Sequence, residues 1–181
     1  MAQTRADLIR FFLDYKSTYA EESIFIPDFL SLLAATTCYE RTHLPGHITG
    51  SAWITTPERD SVLLVHHAKL NRWLQPGGHA DGDENVLRVA LREAEEETGL
   101  QTFKIVNELP FDVDIHLIPE RKDFPAHHHY DVRFLVEAAR DEKIVVSEES
   151  HDVKWVPLSE LERYTTEQSV LRMKAKLLRA D

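Results

Sequence analysis

The 181-residue sequence holds only one cysteine, Cys38, so it cannot form a disulfide bond within the chain. This excludes the small disulfide-rich scaffolds of secreted proteins and fits a reducing compartment. Long apolar runs are also missing: none approaches the roughly 20 residues that a transmembrane helix needs, and the N-terminus lacks the pattern of a signal peptide. We expect a cytoplasmic protein that does not enter the membrane.

Positive charge is scarce as well. The chain has 21 lysine and arginine residues against 31 aspartate and glutamate residues, a formal net charge of −10. A surface of that sign repels a phosphate backbone, so nucleic acid is not expected as the main partner. A small anionic substrate is not excluded, because a bound divalent metal reverses the local field. The length and a hydrophobic content of 43% predict a single globular domain over residues 1–181.

The order of the predicted elements indicates three regions. An N-terminal helical extension spans about 1–45, with one helix within 4–19 and a second that starts at Pro27. The core, 46–160, contains predicted strands at 48–55, 61–67, 72–78, about 111–118, 127–138 and from 153 onwards. Ser159 is then the predicted N-cap of a helix, and 161–181 closes the chain as a C-terminal helix. A mixed sheet with helices on both faces is the simplest packing of this order, which predicts an α/β fold.

The stretch GGHADGDENVLRVALREAEEETGL ends in an unfavourable cluster of carboxylates. Its apolar residues recur at helical spacing, with Asp83 as the predicted N-cap and Gly99 as the residue after the last turn. Glu93, Glu96 and Glu97 then fall within about 100° of one another near the C-terminal end. The helix dipole disfavours each carboxylate there by roughly 0.3–1 kcal/mol, and each like-charged pair costs roughly 0.2–0.5 kcal/mol.

Two interpretations of these glutamates stay open at this point. A run of charges is most often a solvated face. Three converging carboxylates also form a hard-oxygen site for Mg²⁺ or Mn²⁺. The preceding turn, Pro76-Gly77-Gly78, allows the backbone to approach a ligand closely, and the Gly77 carbonyl is a candidate metal ligand.

The spacing of these glycines and charged residues resembles the Nudix box, the signature of the Nudix hydrolases. The fixed positions of the box are matched by Gly78, Glu84, Arg92, Glu93, Glu96, Glu97, Gly99 and Leu100. The resemblance covers roughly 47–160 and is sharpest in 73–100. It implies a Nudix-type α/β/α sandwich and Mg²⁺-dependent cleavage of a pyrophosphate link in a nucleoside diphosphate derivative or similar phosphorylated metabolite, with Mn²⁺ as an alternative cofactor.

The resemblance also implies roles for the residues at the end of the box. Glu96 and Glu97 are implied metal ligands, while Glu93 is either a ligand or the base for the attacking water. Arg92 is expected to orient Glu93 or another glutamate through a charge-assisted hydrogen bond.

Residues further from that cluster are implied to complete the site. Gly78 and Glu84 are expected to contribute to substrate binding, Glu84 from the other end of the helix. The family often recruits another acidic residue from a later loop, and Glu148 and Glu149 are the candidates here. A solvated loop acid is an equal alternative for these two.

Histidines are frequent, ten in all, and several alternate along predicted strands. In the segment 127–138, alternation places an apolar stripe on one face and His127, His129, Asp131 and Arg133 on the other. The preceding strand, which we expect to pair with it antiparallel, has a similar polar face that consists of Asp112, Asp114 and His116.

Three interpretations of these polar faces stay open. They meet solvent, as one side of many antiparallel sheets does; they bind a transition metal through the His-x-His-x-Asp pattern; or they line the substrate cleft. We adopt the third, with the substrate-binding candidates His79, His116, His127, His129 and Arg133. The two strand histidines would then share a cleft with Glu93 and Glu97, and Arg133 would meet a phosphate or an acidic neighbour.

The sequence leaves the identity of the substrate open. Residues 115–118, Ile-His-Leu-Ile, lack the proline associated with ADP-ribose hydrolases and the tyrosine associated with dinucleoside polyphosphate hydrolases. Two alternatives to hydrolysis are an isopentenyl diphosphate isomerase-like enzyme and a non-catalytic nucleotide-binding module, although the intact glutamates argue against the module. The expected partner is a small phosphorylated substrate, and a homodimer is left open.

Overall fold

The computed structural model describes residues 3–122 and 124–179. Its elements, in chain order, are α1 (Arg5–Asp14), α2 (Ala20–Leu33), β1 (Gly46–Thr55), β2 (Ser61–His67), β3 (Arg72–Leu74), β4 (Gly77–His79), α3 (Val86–Thr98), β5 (Lys104–Ile105), β6 (Asp112–Ile118), β7 (His127–Glu137), β8 (Ser150–Pro157), a 3₁₀ helix (Leu158–Arg163) and α4 (Gln168–Leu177). Among the described residues, no helix combines the length and the apolar character needed to span a bilayer.

The strands form one mixed sheet, as predicted. Its main order is β3-β2-β1-β7-β5, while β4 also pairs with β1, β6 with β7 and β8 with β2. The central strands β1 and β7 run parallel to each other. β6 and β7 form the antiparallel pair that the sequence predicts.

Side chains of the central strands alternate between the two faces of this sheet. On one face, called the α3 face, Ile48 and Phe134 belong to a core that includes Val86 and Val89 of α3 as well as residues of the N-terminal helices. On the other, called the α4 face, a second core contains Trp53, Val62, Leu64, Leu135, Val156, Val170 and Met173. The sheet is therefore covered by helices on both sides, and the predicted α/β/α arrangement is confirmed.

The N-terminal helical extension is present, but its second helix starts earlier than predicted. α1 begins after Thr4, which forms a capping box. α2 begins at Ala20, so Pro27 lies inside the helix and not at its start. A proline there removes one intrahelical hydrogen bond. Tertiary packing outweighs that loss, because Phe29 stacks on Phe12 of α1 with the ring centroids 4.5 Å apart.

The N-cap of α3 also differs from the prediction. Asn85 is the cap, and its side chain accepts a hydrogen bond from the Arg88 amide at 3.0 Å. The predicted cap, Asp83, instead binds the Arg88 guanidinium at 2.6 and 2.7 Å. The predicted end of the helix is confirmed, since Gly99 takes the left-handed conformation with φ 75°.

The strand predicted at 72–78 is split into two. Its first half, β3, pairs with β2, whereas its second half, β4, pairs with β1. Pro76, between them, has no amide proton to donate, and its carbonyl accepts from the Ala52 amide at 3.0 Å. The strand therefore changes partner at the proline.

The helical end of the chain is also arranged differently. Ser159 lies inside the 3₁₀ helix, whose N-cap position is taken by Pro157 without a side-chain hydrogen bond. α4 begins only at Gln168. The last two residues of the predicted C-terminal helix, 180–181, lie outside the described residues.

Buried charges attach α2 and α4 to the edge strand β6. The Glu22 carboxylate accepts from the Val113 amide at 3.1 Å, and Arg172 donates to the Val113 carbonyl at 2.9 Å. Arg172 also donates to the Asp112 carboxylate at 2.8 and 2.9 Å. Side chains thus satisfy backbone groups that a further strand would otherwise bind.

Candidate active site

The second half of α3 lies against β4, so the segment predicted as a turn at Pro76-Gly77-Gly78 is instead the start of a strand. A Cβ atom at Gly78 would collide with the carboxylate of Glu93, so only glycine allows the helix and the strand to come this close. The Glu93 side chain is consequently 15% exposed. Burial raises the pKa of Glu93 to about 7, with Arg92 opposing this effect and Glu96 adding to it.

Glu97, one turn further along α3, is also largely withdrawn from solvent. Burial and then the charge of Glu93 raise the pKa of Glu97 to about 8, while the Gly77 amide lowers it. Its Oε2 atom is buried and has no hydrogen-bond partner within the described part of the chain. A buried acceptor of this kind next to a second carboxylate suits a bound cation, which would satisfy the oxygen and reduce the repulsion.

Two more acidic residues act on this pair. Glu96 is exposed on α3, and Glu149 lies in the loop before β8. The charges of both raise the pKa values of Glu93 and Glu97. Of the two loop acids predicted, Glu149 is therefore the one whose charge raises the pKa values of Glu93 and Glu97. We call Glu93, Glu96, Glu97 and Glu149 the glutamate cluster.

Arg92 connects this cluster to β4. Its guanidinium donates to Glu93 Oε1 at 2.8 Å and to the His79 carbonyl at 2.7 Å. The predicted hydrogen bond from Arg92 to a glutamate is thus present. It holds the Glu93 carboxylate and the backbone after Gly78 in a fixed relation.

Glu84 is not brought into the glutamate cluster. It lies two residues before the start of α3, whereas Glu93, Glu96 and Glu97 lie in the second half of that helix. Its carboxylate accepts from the Arg5 amide at 3.4 Å. A direct role for Glu84 in binding substrate stays a prediction, as does metal binding by the Gly77 carbonyl.

The predicted histidines gather elsewhere, around a residue that sequence reasoning missed. His47 of β1 has ring-centroid distances of 5.2 Å to His79, 5.0 Å to His127 and 5.1 Å to His129. We call these four residues the histidine cluster. His47 alternates with Thr49 and Ser51 along β1, but only the parallel pairing of β1 with β7 places it opposite His129.

The register of β4 on β1 decides which face each side chain meets. Gly78 lies opposite Gly50, and both face α3. The next residue, His79, therefore points to the α4 face, where it meets His129 of β7. The sheet separates these histidines from the glutamate cluster. This corrects the expectation that His127 and His129 share a cleft with Glu93 and Glu97.

Aspartates are the polar partners of both Arg133 and His116. Arg133 is 2% exposed and donates to Asp131 at 2.7 Å and to Asp112 and Asp114 at 3.2 Å each. Of the two partners expected for it, the structure provides the acidic neighbour, and no free face is left for a phosphate. His116 Nδ1 lies 3.3 Å from Asp114 Oδ2.

Comparison with known proteins connects this arrangement to a family. The NUDIX domain matches residues 46–177. The chain is 30% identical over 100 residues to bis(5'-nucleosyl)-tetraphosphatase [asymmetrical] of Rattus norvegicus, covering 55% of this chain and 65% of the relative. It is 33% identical over 87 residues to a probable DHNTP pyrophosphohydrolase of Lactococcus lactis subsp. cremoris, covering 47% and 51%. The matched segment thus spans less than two thirds of either curated relative.

Solved structures show the same fold. A hydrolase of the NUDIX family from Clostridium perfringens superposes with a TM-score of 0.58 at 22% identity, covering 75% of this chain and 98% of that chain. An Ap4A hydrolase of C. elegans, in a binary complex, superposes with a TM-score of 0.56 at 19% identity, covering 74% and 97%. About three quarters of this chain therefore has a fold that is already known.

Proposed function

We propose, because this chain belongs to the Nudix family, that it is a hydrolase that cleaves a pyrophosphate link in a nucleoside diphosphate derivative or a similar phosphorylated metabolite. One observation carries the proposal. Glu93 and Glu97 lie largely buried, one helical turn apart on α3 beside β4, and one Glu97 carboxylate oxygen has no partner among the described residues. Withdrawing two acids from solvent in this way destabilises the fold, and such a cost is typical of functional sites.

The donor set fits Mg²⁺, with Mn²⁺ as the alternative. Carboxylate and carbonyl oxygens are the ligands that these hard cations prefer. Glu96 and Glu97 would hold the ion, with Glu149 and the Gly77 carbonyl as further candidates and with Glu93 as a ligand only if it is not the base. When bound, the ion supplies positive charge that neutralises phosphate oxygens and makes water more acidic.

The chain itself supplies a base and its support. Glu93, with a pKa raised to about 7, is suited to accept a proton from water near neutral pH. The Arg92 hydrogen bond fixes which way its carboxylate points. Because Arg92 also binds the His79 carbonyl, α3 and β4 together keep the base at a constant position.

The relatives favour hydrolysis over the alternatives. Their names describe a tetraphosphatase and a pyrophosphohydrolase, which share cleavage within a chain of phosphates. An isomerase finds no support in these names, and a non-catalytic module does not explain the two buried glutamates. The Mg²⁺ requirement, the cytoplasmic location and a homodimer stay predictions.

A substrate panel tests the proposal. Purified protein is incubated with Mg²⁺ or Mn²⁺ and with nucleoside di- and triphosphates, nucleoside diphosphate sugars and dinucleoside polyphosphates, and products are separated by anion-exchange chromatography. We expect metal-dependent release of a phosphorylated product from at least one class. Binding without turnover across the panel, or double-bond migration in isopentenyl diphosphate, would contradict it.

A further inference from the structure

The histidine cluster has the composition of a second metal site. His47, His79, His127 and His129 each offer one ring nitrogen, and these atoms all lie within 4.8 Å of one another. Imidazole nitrogen is a preferred ligand of Zn²⁺, Cu²⁺ and Ni²⁺ and a poor one for Mg²⁺. We propose that the histidine cluster binds one transition-metal ion of the Zn²⁺ type on the α4 face, apart from the glutamate cluster.

Backbone carbonyls set the tautomers that such a site requires. His47 Nδ1 lies 3.3 Å from the His43 carbonyl, and His127 Nδ1 lies 2.9 Å from the Pro125 carbonyl. A carbonyl oxygen only accepts, so each Nδ1 carries the proton and each Nε2 keeps its lone pair. Histidines that bind metals are oriented in this way, with the second ring nitrogen donating to a backbone or carboxylate oxygen.

Two ring nitrogens of the histidine cluster lack hydrogen-bond partners among the described residues. His47 Nε2 and His129 Nε2 are both buried and have no hydrogen-bond partner in 3–122 or 124–179. The His47 side chain is 0% exposed. Burial also lowers the pKa of both residues, which favours the neutral form that coordinates a metal. A metal ion among the four rings would satisfy these nitrogens together.

A site with four protein ligands leaves no coordination position for a substrate, so its role is structural. The ligands come from β1, β4 and β7, and a bound ion would join these strands at one point. The backbone of His79 also accepts the Arg92 hydrogen bond that steadies Glu93. The ion would therefore anchor β4, the strand beneath the glutamate cluster, from the opposite face of the sheet.

Metal binding by matched variants tests this proposal. Chelator-treated parent protein and variants are dialysed against Zn²⁺, and bound metal is measured by mass spectrometry. His129→Gln and His79→Gln each remove one ligand. His128→Gln is the matched control, because it is adjacent on β7 and faces the other side of the sheet. Glu97→Gln controls for binding at the glutamate cluster.

We expect one Zn²⁺ per chain in the parent, His128→Gln and Glu97→Gln. A residue that hydrogen-bonds a metal ligand typically contributes 10- to 100-fold to metal affinity, and a direct ligand contributes more. We therefore expect His129→Gln and His79→Gln each to lose at least about 100-fold in Zn²⁺ affinity. Equal binding by all five proteins, or loss of Zn²⁺ only in Glu97→Gln, would overturn the proposal.

A spectroscopic measurement on the parent does not depend on how the variants fold. Co²⁺ in a tetrahedral nitrogen site absorbs visible light much more strongly than octahedral Co²⁺, and Zn²⁺ displaces it. We expect an intense visible band at one equivalent of Co²⁺ that disappears on adding Zn²⁺ and persists in excess Mg²⁺. A weak octahedral spectrum, or a band that Mg²⁺ removes, would rule out the four-histidine site.

Discussion

At the scale of single residues, the site is defined by the unequal surroundings of a few carboxylates. Glu93 has an arginine hydrogen bond, whereas Glu97 has one buried oxygen with no partner in the described part of the chain. Both have raised pKa values, about 7 and about 8. The two residues are therefore suited to different tasks: Glu93 to proton transfer and Glu97 to holding a cation.

Arg92 is expected to act as a positioning residue. In Arg92→Gln the favourable charge beside Glu93 is lost, so the pKa of Glu93 rises and the acidic limb of the rate–pH profile moves to higher pH. A charge-assisted hydrogen bond contributes roughly 1.5–3 kcal/mol, which predicts a fall in kcat of about 10- to 100-fold. Arg92→Lys should restore part of both effects.

Arg88→Gln is the control for this experiment, because Arg88 lies on the same helix and binds Asp83 instead. The rate–pH profile of Arg88→Gln should match that of the parent. A profile for Arg92→Gln that superimposes on that of the parent would show that Arg92 does not act through Glu93.

Glu97 is expected to lower the stability of the metal-free protein in a pH-dependent way. A carboxyl group whose pKa is higher in the folded state loses stability as pH rises, here from about 4.3, the ordinary value, to about 8. In the presence of a chelator, Glu97→Gln should therefore melt above the parent at alkaline pH and close to it below pH 5. A gain of about 1 kcal/mol corresponds to roughly 2–4 °C.

Added Mg²⁺ should reverse this order, because only the parent gains the free energy of binding. Thermal unfolding followed by circular dichroism measures both effects. Equal Mg²⁺ shifts for parent and variant would place the ion elsewhere.

At the scale of secondary-structure elements, charge as well as apolar packing attaches α4 to the sheet. Arg172 and Arg133 both bind Asp112, which is 0% exposed. Lys176 of α4 adds an ion pair with the same carboxylate at 3.0 Å. These contacts lie beside the edge strand β6, so helix and strand edge are stabilised by one network.

Removing one member of this network should lower the free energy of unfolding substantially. Arg172→Leu leaves Asp112 and the Val113 carbonyl with fewer donors, and breaking a buried ion pair from one side costs about 3–5 kcal/mol. Urea unfolding should show that loss. Lys174→Met, on the same helix, removes an ion pair with the exposed Glu162 and should change stability little. Similar midpoints for the two variants would contradict the role given to Arg172.

At the scale of the whole molecule, one sheet separates two groups of ligands with different chemistry. The glutamates lie on α3, with the Glu93 carboxylate against β4, and the nitrogen donors of four histidines converge on the α4 face. The short strand β4 contributes to both, through Gly78 on the α3 face and His79 on the α4 face. Changes at either site are therefore expected to reach the other through β4.

The buried aspartates should determine how the stability of the whole fold falls at acid pH. Burial by itself would raise the pKa of Asp114, but the charge of Arg133 and the bond with His116 outweigh it and hold that pKa below its ordinary range. A carboxyl group of this kind adds stability above its ordinary pKa, and this stability is lost as pH falls through the folded value.

Asp114→Asn should therefore be less stable than the parent at neutral pH, with a difference that shrinks below about pH 4. Urea unfolding at a series of pH values measures it, with Asp14→Asn, at an exposed position at the end of α1, as control. A difference that does not change with pH would contradict the shifted pKa.

Local patterns in the sequence predicted α3 and its glutamates well, because helical periodicity and the box lie within one short stretch. Features that depend on contacts between segments far apart in the sequence could not be predicted. His47 joins the histidine cluster through the β1–β7 register, across about 80 positions of chain. The face that His79 meets depends on the register of β4, and Pro27 is tolerated in α2 because of packing on α1. Neither kind of information is present in a single stretch of sequence.

The central claim is that the buried glutamate pair of α3 carries metal-dependent hydrolysis. Its most direct test is the steady-state rate of Glu97→Gln at saturating Mg²⁺, on whichever phosphorylated substrate the parent cleaves, with Glu95→Gln as the matched exposed control on the same helix. We expect a loss in kcat of roughly 10²- to 10⁴-fold for Glu97→Gln and a parent-like rate for Glu95→Gln. A folded Glu97→Gln protein with near-normal turnover, or equal losses in both variants, would contradict the claim.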